Sequence, residues 1–419
     1  MYCGSCIRDN ALARAMIAQG HEVTLLPLYT PTRPDEENVS SPRIFFGGIS
    51  VYLEQILPLF RRTPRWLDRL WDSTFALKLA ARGSVSNQSG DLAALTLSIL
   101  RGEDGNQRKE FEKLLDWLIT QPKPDVVTLS YTLLIALAGP LKRALNCPIV
   151  CYMQGEDLFL DGLGAAKAEA IGLIRQHAQD VDAFLAVSEY YAGYMVQYMG
   201  LPSEKIQVTP LGISLDGYEA AQWPRDHAFT IGYFARVARE KGLHILCEAY
   251  RILRQEMGLP PSRLLAAGYL GPESHAYLKE VRDQMLEVNL LDEFDYQGEL
   301  SRPDKLRFFT QLHVFSTPAV YHEPKGLSVL EAMVSGVPVV LPSHGAFPEI
   351  IRATGGGLLC APNDPYDLAR QIMSIYSDPV LATQLSQAGA AGAREHYSAA
   401  RSAERTIEVL EKLCARLLC

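Results

Sequence analysis

The sequence lacks the features that mark several large classes of protein. It has eight cysteines in 419 residues, too few and too widely spread for a disulfide framework. It has no basic tail and no long run of lysine or arginine, and its formal net charge is −8. A chain of this charge is not expected to bind nucleic acid. These absences predict a folded protein of a reducing compartment.

Long apolar runs are missing as well. Met1 is not followed by a basic stretch and then an apolar one, the pattern of a secretory signal. The longest uncharged apolar stretch, residues 126–141, contains Thr, Ser, Gly and Pro and is shorter than the ~20 residues of a membrane-spanning helix. We therefore expect a cytoplasmic location, with peripheral contact to the inner membrane face as the alternative.

The alternative of peripheral membrane contact rests on one segment. Residues 57–71 interleave four arginines with large apolar side chains such as Trp66 and Trp71. A segment of this composition suits an anionic membrane surface. It also suits an amphipathic insertion that caps a cleft, with the arginine stems covering apolar surface, and we favour this second interpretation.

From Asp125 onward, short runs rich in valine, isoleucine and leucine alternate with longer amphipathic segments. This alternation is typical of βαβ units and a parallel sheet. The strand candidates are DVVTLSY, PIVCYMQ, AFLAVS and KIQVTPL in the first half, and FTIGYFAR, RLLAAGYL, FDYQG, VFSTPA, PVVLPS and GLLCAP in the second. The sequence therefore predicts an α/β protein with two doubly wound, Rossmann-like sheets.

A polar, proline-containing stretch near residues 216–228 marks the predicted domain boundary. We predict a first domain over 1–222, with an irregular insertion at about 30–124, and a second over 223–395. Residues 396–419 are predicted to form a last helix, which is in a position to pack back on the first domain. The sequence does not indicate an oligomeric state.

The most informative stretch is HEPKGLSVLEAM, which follows the strand candidate VFSTPA. Pro324 suits the first position of a helix, so the next backbone N–H groups would be unpaired, and such groups bind anions. Glu323 and Glu331 flank this helix start, and carboxylates accept hydrogen bonds from sugar hydroxyls. The pattern predicts a ligand with phosphate in the middle and polyols at both ends, which describes a nucleotide sugar.

Two cations follow another strand candidate in the same half of the chain. Arg236 and Lys241 lie five residues apart in ARVAREKG, after FTIGYF. Two cations there can neutralise a diphosphate leaving group without a metal ion. The D-x-D pair Asp180 and Asp182 precedes its strand, at the end away from the predicted ligand edge, so we expect no metal site and no cofactor.

On these motifs the chain resembles the family-4 retaining glycosyltransferases of GT-B fold. The resemblance rests on EPKGLSVLE, EAMVSGVPVV, ARVAREKG and VTPLGIS. It implies that the C-terminal domain binds a UDP-, ADP- or GDP-linked sugar and that the N-terminal domain binds the acceptor. It also implies that the anomeric configuration is kept, with the leaving phosphate helping to deprotonate the acceptor.

The resemblance assigns roles to individual residues. Arg236 and Lys241 would hold the diphosphate, Glu323 would contact the donor sugar, and Glu331 would hold the ribose. The donor-binding set that it implies is Lys325, Gly326, Leu327, Ser328 and Glu331.

One departure from the family pattern follows the strand candidate PIVCYM. Many family members carry a histidine here that touches the donor sugar, whereas this chain has Gln154, Gly155, Glu156 and Asp157. We predict that Glu156 is catalytic and that Gln154 and Asp157 belong to the same loop of the site. A general base at Glu156 or Asp157 stands beside a simpler alternative, a helix cap and a solvated turn.

The first residues also fit the resemblance. Residues 6–19 are predicted to form a helix that leads into a strand, EVTLLPL, and Gly4 and Ser5 form the turn before that helix. Their backbone amides would face the donor phosphate or the acceptor. Family members have a strand before this turn, so we expect that strand to be missing from this sequence. A redox role for the C-x-x-C of Cys3 and Cys6 finds no other support.

Three hypotheses on activity result. The leading one is a retaining, metal-independent transferase of the hexosyltransferase class, acting on a glycan, lipid-linked or small acceptor. The second is a nucleotide-sugar epimerase of the same fold, and the third is a non-catalytic protein that binds sugar nucleotides or membranes.

Overall fold

The computed structural model describes residues 4–28, 34–46, 51, 55, 89–220 and 227–417. The amphipathic segment at 57–71 and Cys3 lie outside the described residues, so the predicted membrane contact stays a prediction. Within the described part of the chain, no helix is long and apolar enough to cross a membrane.

Ten strands are present among the described residues, and each lies inside a segment that the sequence predicts as a strand. They are β1 Val127–Leu129, β2 Ile149–Met153, β3 Ala183–Ala186, β4 Ile206–Val208, β5 Thr230–Phe234, β6 Arg263–Ala267, β7 Phe294–Tyr296, β8 Val314–Phe315, β9 Val339–Pro342 and β10 Gly357–Cys360. The prediction of a strand at EVTLLPL is wrong. That segment makes two isolated bridges, from Leu25 to Ser40 and from Leu28 to Phe45.

Fifteen α-helices lie in the same described ranges. They are α1 Gly4–Ala18, α2 Ser89–Leu100, α3 Arg108–Ile119, α4 Ala138–Leu145, α5 Asp157–Asp161, α6 Lys167–His177, α7 Glu189–Met199, α8 Leu243–Gln255, α9 His275–Glu287, α10 Arg302–Thr310, α11 Leu327–Val334, α12 Phe347–Thr354, α13 Pro365–Ser377, α14 Pro379–Tyr397 and α15 Ala399–Leu417. Within each sheet, at least one α-helix lies between consecutive strands, as βαβ units require.

All paired strands are parallel, in two sheets. The first sheet has the order β1-β2-β3-β4, and the second has the order β10-β9-β8-β5-β6-β7. In the second sheet β5 pairs with β6 on one side and with β8 on the other, where Ile231 lies opposite Val314. The chain therefore winds outward in both directions from β5 and β8. Ligands of open α/β sheets bind at such a switch point, outside the carboxyl ends of the strands.

The chain forms two compact units. The second-sheet unit comprises Met1–Ala15, Pro34–Glu37 and Pro210–Ala403, and the first-sheet unit comprises Met16–Arg33, Asn38–Thr209 and Glu404–Cys419. The domain boundaries predicted from the sequence stay a prediction.

Each unit has its own apolar core. Ile231, Leu246 and Leu264 are fully buried in the second-sheet unit. In the first-sheet unit Ile149 and Phe184 are fully buried, and the hydroxyl of Thr406 on α15 lies 3.3 Å from that of Tyr152 on β2. Burial of one such aliphatic or aromatic side chain stabilises the folded protein by about 1.5–3 kcal/mol. The strands are therefore firmly held, and so are the ends of the loops that leave them.

Candidate active site

The loops that follow β5 and β8 are in direct backbone contact. The N–H of Val320 donates to the carbonyl of Glu240 at 2.8 Å. Gly242 has φ +77°, and a Cβ atom there would lie 1.9 Å from the carbonyl oxygen of Pro318. Only glycine combines this backbone conformation with such a close approach. The contact brings Lys241, from the first loop, to Glu323, from the second.

Lys241, Tyr321 and Glu323 form a compact polar cluster. The ammonium of Lys241 donates to Glu323 Oε2 and to the hydroxyl of Tyr321, both at 2.6 Å. The Tyr321 hydroxyl donates to the same carboxylate oxygen. The side chains of Lys241 and Glu323 are 18% and 10% exposed, so this is a mostly buried ion pair with one accessible edge.

The surroundings of Glu323 determine its charge. Burial raises the pKa of the Glu323 carboxyl, but the charge of Lys241 and the hydrogen bonds from Lys241 and Tyr321 outweigh it and lower that pKa to about 2. The group is therefore a carboxylate at neutral pH. It can accept hydrogen bonds from hydroxyls of a ligand, and it cannot serve as a proton donor there.

Arg236 follows β5 and pairs with a different carboxylate. Its guanidinium donates to Glu240, four residues along the chain, and its side chain is 44% exposed. A guanidinium has five N–H donors, so this one bond leaves capacity for an anionic ligand. The two cations predicted for the diphosphate, Arg236 and Lys241, both lie at the carboxyl ends of the second sheet.

Helix α11 begins later than the sequence predicts. Its first residue is Leu327, and Gly326 caps it in the left-handed region with φ +71°. Pro324 is therefore not the first helical residue, and the prediction of an unpaired N–H at Lys325 is wrong, because that N–H donates to Glu323 Oε1 at 3.3 Å. At the beginning of α11, the N–H groups that find no acceptor within the described part of the chain are instead those of Leu327 and Ser328.

The start of α1 lies against the start of α11. The ammonium of Lys325 donates to the hydroxyl of Ser5 at 3.3 Å, and a Cβ atom on Gly4 would lie 3.3 Å from Leu327 Cδ1. Two helix N-termini and one lysine thus surround the same place, and all three favour negative charge. The prediction that Gly4 and Ser5 form a turn before this helix is wrong, because both lie in the first turn of α1. The structure brings them next to the predicted donor-binding residues.

Glu331, the second glutamate of the motif, has two partners that sequence reasoning missed. Glu331 Oε1 accepts from the hydroxyl of Tyr218 at 2.8 Å and from the ammonium of Lys305 at 2.6 Å. Neither partner lies near Glu331 in the sequence, and neither belongs to a motif. Tyr321 was also missed, although its place two residues before Glu323 is a signal that could have found it.

Gln154, Glu156 and Asp157 lie together in the first-sheet unit. Glu156 is buried and accepts four hydrogen bonds: from the N–H and hydroxyl of Thr132 at 3.1 and 2.8 Å, from the N–H of Gln154 at 2.7 Å, and from the hydroxyl of Tyr191 at 3.2 Å. Three of these donors belong to Glu156 alone, and the single O–H of Tyr191 is shared with Asp157, so little acceptor capacity is left for a ligand. The geometry favours a positioning role for Glu156, and its predicted catalytic role stays a prediction.

Asp157 shares one donor with this cluster. The hydroxyl of Tyr191 donates to Asp157 Oδ1 at 2.8 Å. Burial raises the pKa of Asp157, and the bond from Tyr191 opposes the effect without cancelling it. Gln154 is also tied to the fold, since its amide donates to the carbonyl of Ser130 at 2.5 Å.

We expect Glu156→Gln to destabilise the protein by about 1–3 kcal/mol, because the new amide NH2 would face donors where the carboxylate accepted. The free energy of urea unfolding measures this cost, and Glu204→Gln, at an exposed position, is the matched control. Activity should be measured far below the unfolding transition. A hundredfold loss of activity there would support the general-base role, since that is the lower end of the range for such catalysis.

No group of three or more histidine, cysteine or acidic side chains in the described ranges could hold a metal ion. In the D-x-D pair, Asp182 makes hydrogen bonds within the fold. It accepts from the ammonium of Lys142 at 2.6 Å and from the N–H of Ile149 at 2.8 Å. His322 and His344 stack with ring centroids 4.6 Å apart.

Two family models cover most of the chain. The one described as "Glycosyl transferase 4-like domain" matches residues 8–212, and the one described as "Glycosyl transferases group 1" matches residues 219–392. The second match contains Arg236, Lys241, Glu323 and Glu331.

Named relatives agree with these matches. The chain is 28% identical over 385 residues to glycogen synthase of Mycobacterium tuberculosis, covering 90% of this chain and 83% of the relative. It is 27% identical over 221 residues to the amylovoran biosynthesis glycosyltransferase AmsK of Erwinia amylovora. That match covers 51% of this chain and 53% of AmsK, so the chain matches about half the length of this relative.

Solved structures share the fold. Sucrose-phosphate synthase from Thermosynechococcus elongatus superposes with a TM-score of 0.68 at 19% identity, covering 97% of this chain and 92% of the other. HepE from Anabaena, in complex with UDP, superposes with a TM-score of 0.65 at 18% identity, covering 93% and 100%. This chain has two parallel, Rossmann-like sheets and superposes on both structures over most of its length, and the predicted GT-B fold is confirmed.

Proposed function

The chain belongs to the group 1 glycosyltransferases, and from this membership we propose that it transfers a hexose from a nucleotide sugar to an acceptor hydroxyl with retention of configuration. The donor binds to the second-sheet unit, at the carboxyl ends of β5 and β8. The acceptor binds to the N-terminal domain, predicted over residues 1–222. The acceptor class is a glycan, a lipid-linked sugar or a small metabolite.

The observation that carries the proposal is the Lys241–Glu323 pair beside the start of α11. Lys241 has one N–H left after donating to Glu323 and Tyr321, and that N–H is available to a phosphate oxygen. Glu323, kept ionised by the same lysine, accepts from a hydroxyl of the sugar. One pair thus serves both chemical halves of a nucleotide sugar.

The reaction needs a stabilised leaving group more than it needs a nucleophile. The bond between the anomeric carbon and the diphosphate oxygen breaks, and the bond to the acceptor oxygen forms on the same face. The acceptor proton passes to the leaving phosphate. Lys241 and Arg236 neutralise the charge that develops on that phosphate, which lowers the barrier without a metal ion.

UDP is the first candidate among the donor nucleotides, because a structural neighbour of this chain was solved in complex with UDP. The test is to incubate the purified protein with UDP-, ADP- and GDP-linked sugars and to measure thermal unfolding and released nucleotide. We expect one of the three nucleotide sugars to raise the Tm, and nucleotide release to persist in EDTA. If none raises the Tm, the proposal is wrong. An epimerised donor without release would favour the epimerase.

A further inference from the structure

Lys305 on α10 is buried between two carboxylates of the second-sheet unit. Its ammonium donates to Glu331 Oε1 at 2.6 Å and to Asp35 Oδ2. The side chains of Lys305, Asp35 and Glu331 are 6%, 5% and 13% exposed. Burial lowers the pKa of Lys305, but the charges of Glu331 and Asp35 outweigh it and raise that pKa. The lysine therefore stays charged.

Two more side chains complete this cluster. A guanidinium nitrogen of Arg302 lies 3.7 Å from Asp35 Oδ1, and its carbon Cζ lies 5.4 Å from the ring centroid of Tyr218. The hydroxyl of Tyr218 donates to Glu331. Two carboxylates and two cations thus balance in charge. A buried ion network of this kind stabilises a protein little more than apolar residues of the same size would, so stability alone does not explain it.

The cluster leaves one oxygen of Glu331 for a ligand. Oε1 already accepts from Lys305 and Tyr218, which uses both of its lone pairs. Oε2 has no hydrogen-bond donor among the described residues, and the side chain is partly exposed. A ligand hydroxyl would therefore donate to Oε2. The orientation of that oxygen is set by the two donors on Oε1.

We propose that Lys305, with Asp35 as its second counter-charge, is a positioning residue that orients Glu331 so that Oε2 accepts from a ribose hydroxyl of the donor nucleotide. This inference rests on the proposed function, since it needs a nucleotide donor. Lys305 does not touch the ligand. It acts by holding Oε1, to which its ammonium donates at 2.6 Å.

The test compares ribose with deoxyribose. The probes are whichever of UDP, ADP and GDP binds most tightly and its 2′-deoxy and 3′-deoxy forms, and the readout is the Kd of each by calorimetry. For the wild type we expect the ribonucleotide to bind about tenfold more tightly than at least one deoxy form, the effect of one hydrogen bond to a charged group. In Lys305→Met this ratio should fall to about one.

Two further variants separate positioning from folding. Lys305→Arg keeps a cation between the carboxylates and should retain most of the ribose preference. Lys279→Met changes an exposed lysine of α9 that pairs with Asp283 at 2.5 Å, and should leave all Kd values unchanged. Urea unfolding shows whether each variant is folded under the binding conditions.

Each outcome has a separate meaning. If no nucleoside diphosphate binds the wild type, the proposed function fails and this inference fails with it. If the wild type binds ribo and deoxy forms equally, the function stands and the role of Glu331 in ribose binding is overturned. If Lys305→Met weakens the ribo and deoxy forms by the same factor, Lys305 is structural and the positioning role is overturned.

Discussion

Lys241→Ala is expected to lower the turnover of the nucleotide sugar by about a thousandfold, the cost of losing one preorganised donor to a developing negative charge. Lys241 is the cation that the structure holds against Glu323 and Tyr321, with one N–H left for a phosphate oxygen. The measurement is single-turnover release of nucleotide at saturating donor. Lys279→Ala is the matched control at an exposed position.

Lys241→Ala also leaves Glu323 buried without its counter-charge, which costs about 3–5 kcal/mol. A double variant with Glu323→Gln removes the orphaned charge and should recover much of the stability. Turnover should stay low in the double variant, because the cation is still absent. Recovery of turnover together with stability would contradict the diphosphate role, since it would mean that Lys241 only supports the fold.

The second large effect is on stability against acid. The pKa of Glu323 is lowered from its ordinary value of 4.5 to about 2 in the folded protein. A carboxyl with a lowered pKa stabilises the folded state above its unfolded value, and that stability is lost as the pH falls through the folded value. We expect Glu323 to contribute about 3 kcal/mol at pH 7, lost between about pH 5 and pH 2.

The variant Glu323→Gln tests whether this contribution to stability is lost as the pH falls. The variant should be less stable than the wild type at pH 7, and the difference should shrink towards zero near pH 2. Urea unfolding followed at a series of pH values measures the difference directly. For the exposed control, Glu204→Gln, the difference in unfolding free energy from the wild type should stay the same at every pH. A constant gap between Glu323→Gln and the wild type would mean that the carboxyl is not held ionised by Lys241.

The strands were predictable because fully buried parallel strands are continuous apolar runs. β2 and β3 are buried at every position, and their sequences consist of apolar residues. The segment EVTLLPL has the same apolar character but, among the described residues, makes only two bridges, at Leu25 and Leu28. Composition indicates that a segment can pair, whereas its partner strand decides whether it does.

The site was predictable where its residues follow one another in the chain. Glu323 and Lys241 were found because both follow strands in the second half. The start of α11 was misplaced by three residues, because Gly326 adopts a positive φ and Glu323 accepts the N–H of Lys325. Neither effect has a signature in the sequence.

The cluster around Lys305 was not predictable at all. Its members come from the two helices α10 and α11, the polar stretch near residues 216–228 and a short loop. Lys305 lies 26 positions from Glu331 and 270 positions from Asp35. No local pattern marks Asp35 as the partner of Lys305, since both are charged residues in ordinary polar segments. Such contacts depend on how distant segments pack, which only the folded chain shows.

The short stretch Pro34–Glu37 belongs to the second-sheet unit, although the chain on either side of it belongs to the other unit. It contains Asp35, which accepts from the ammonium of Lys305. It also contains Glu36, which accepts from the side-chain amide of Asn10 at 3.1 Å. A recombinant fragment that starts at residue 210 would therefore contain a buried lysine with one of its two carboxylates removed. Isolating the second-sheet unit as a fragment calls for grafting these four residues onto it, or for working with the intact chain.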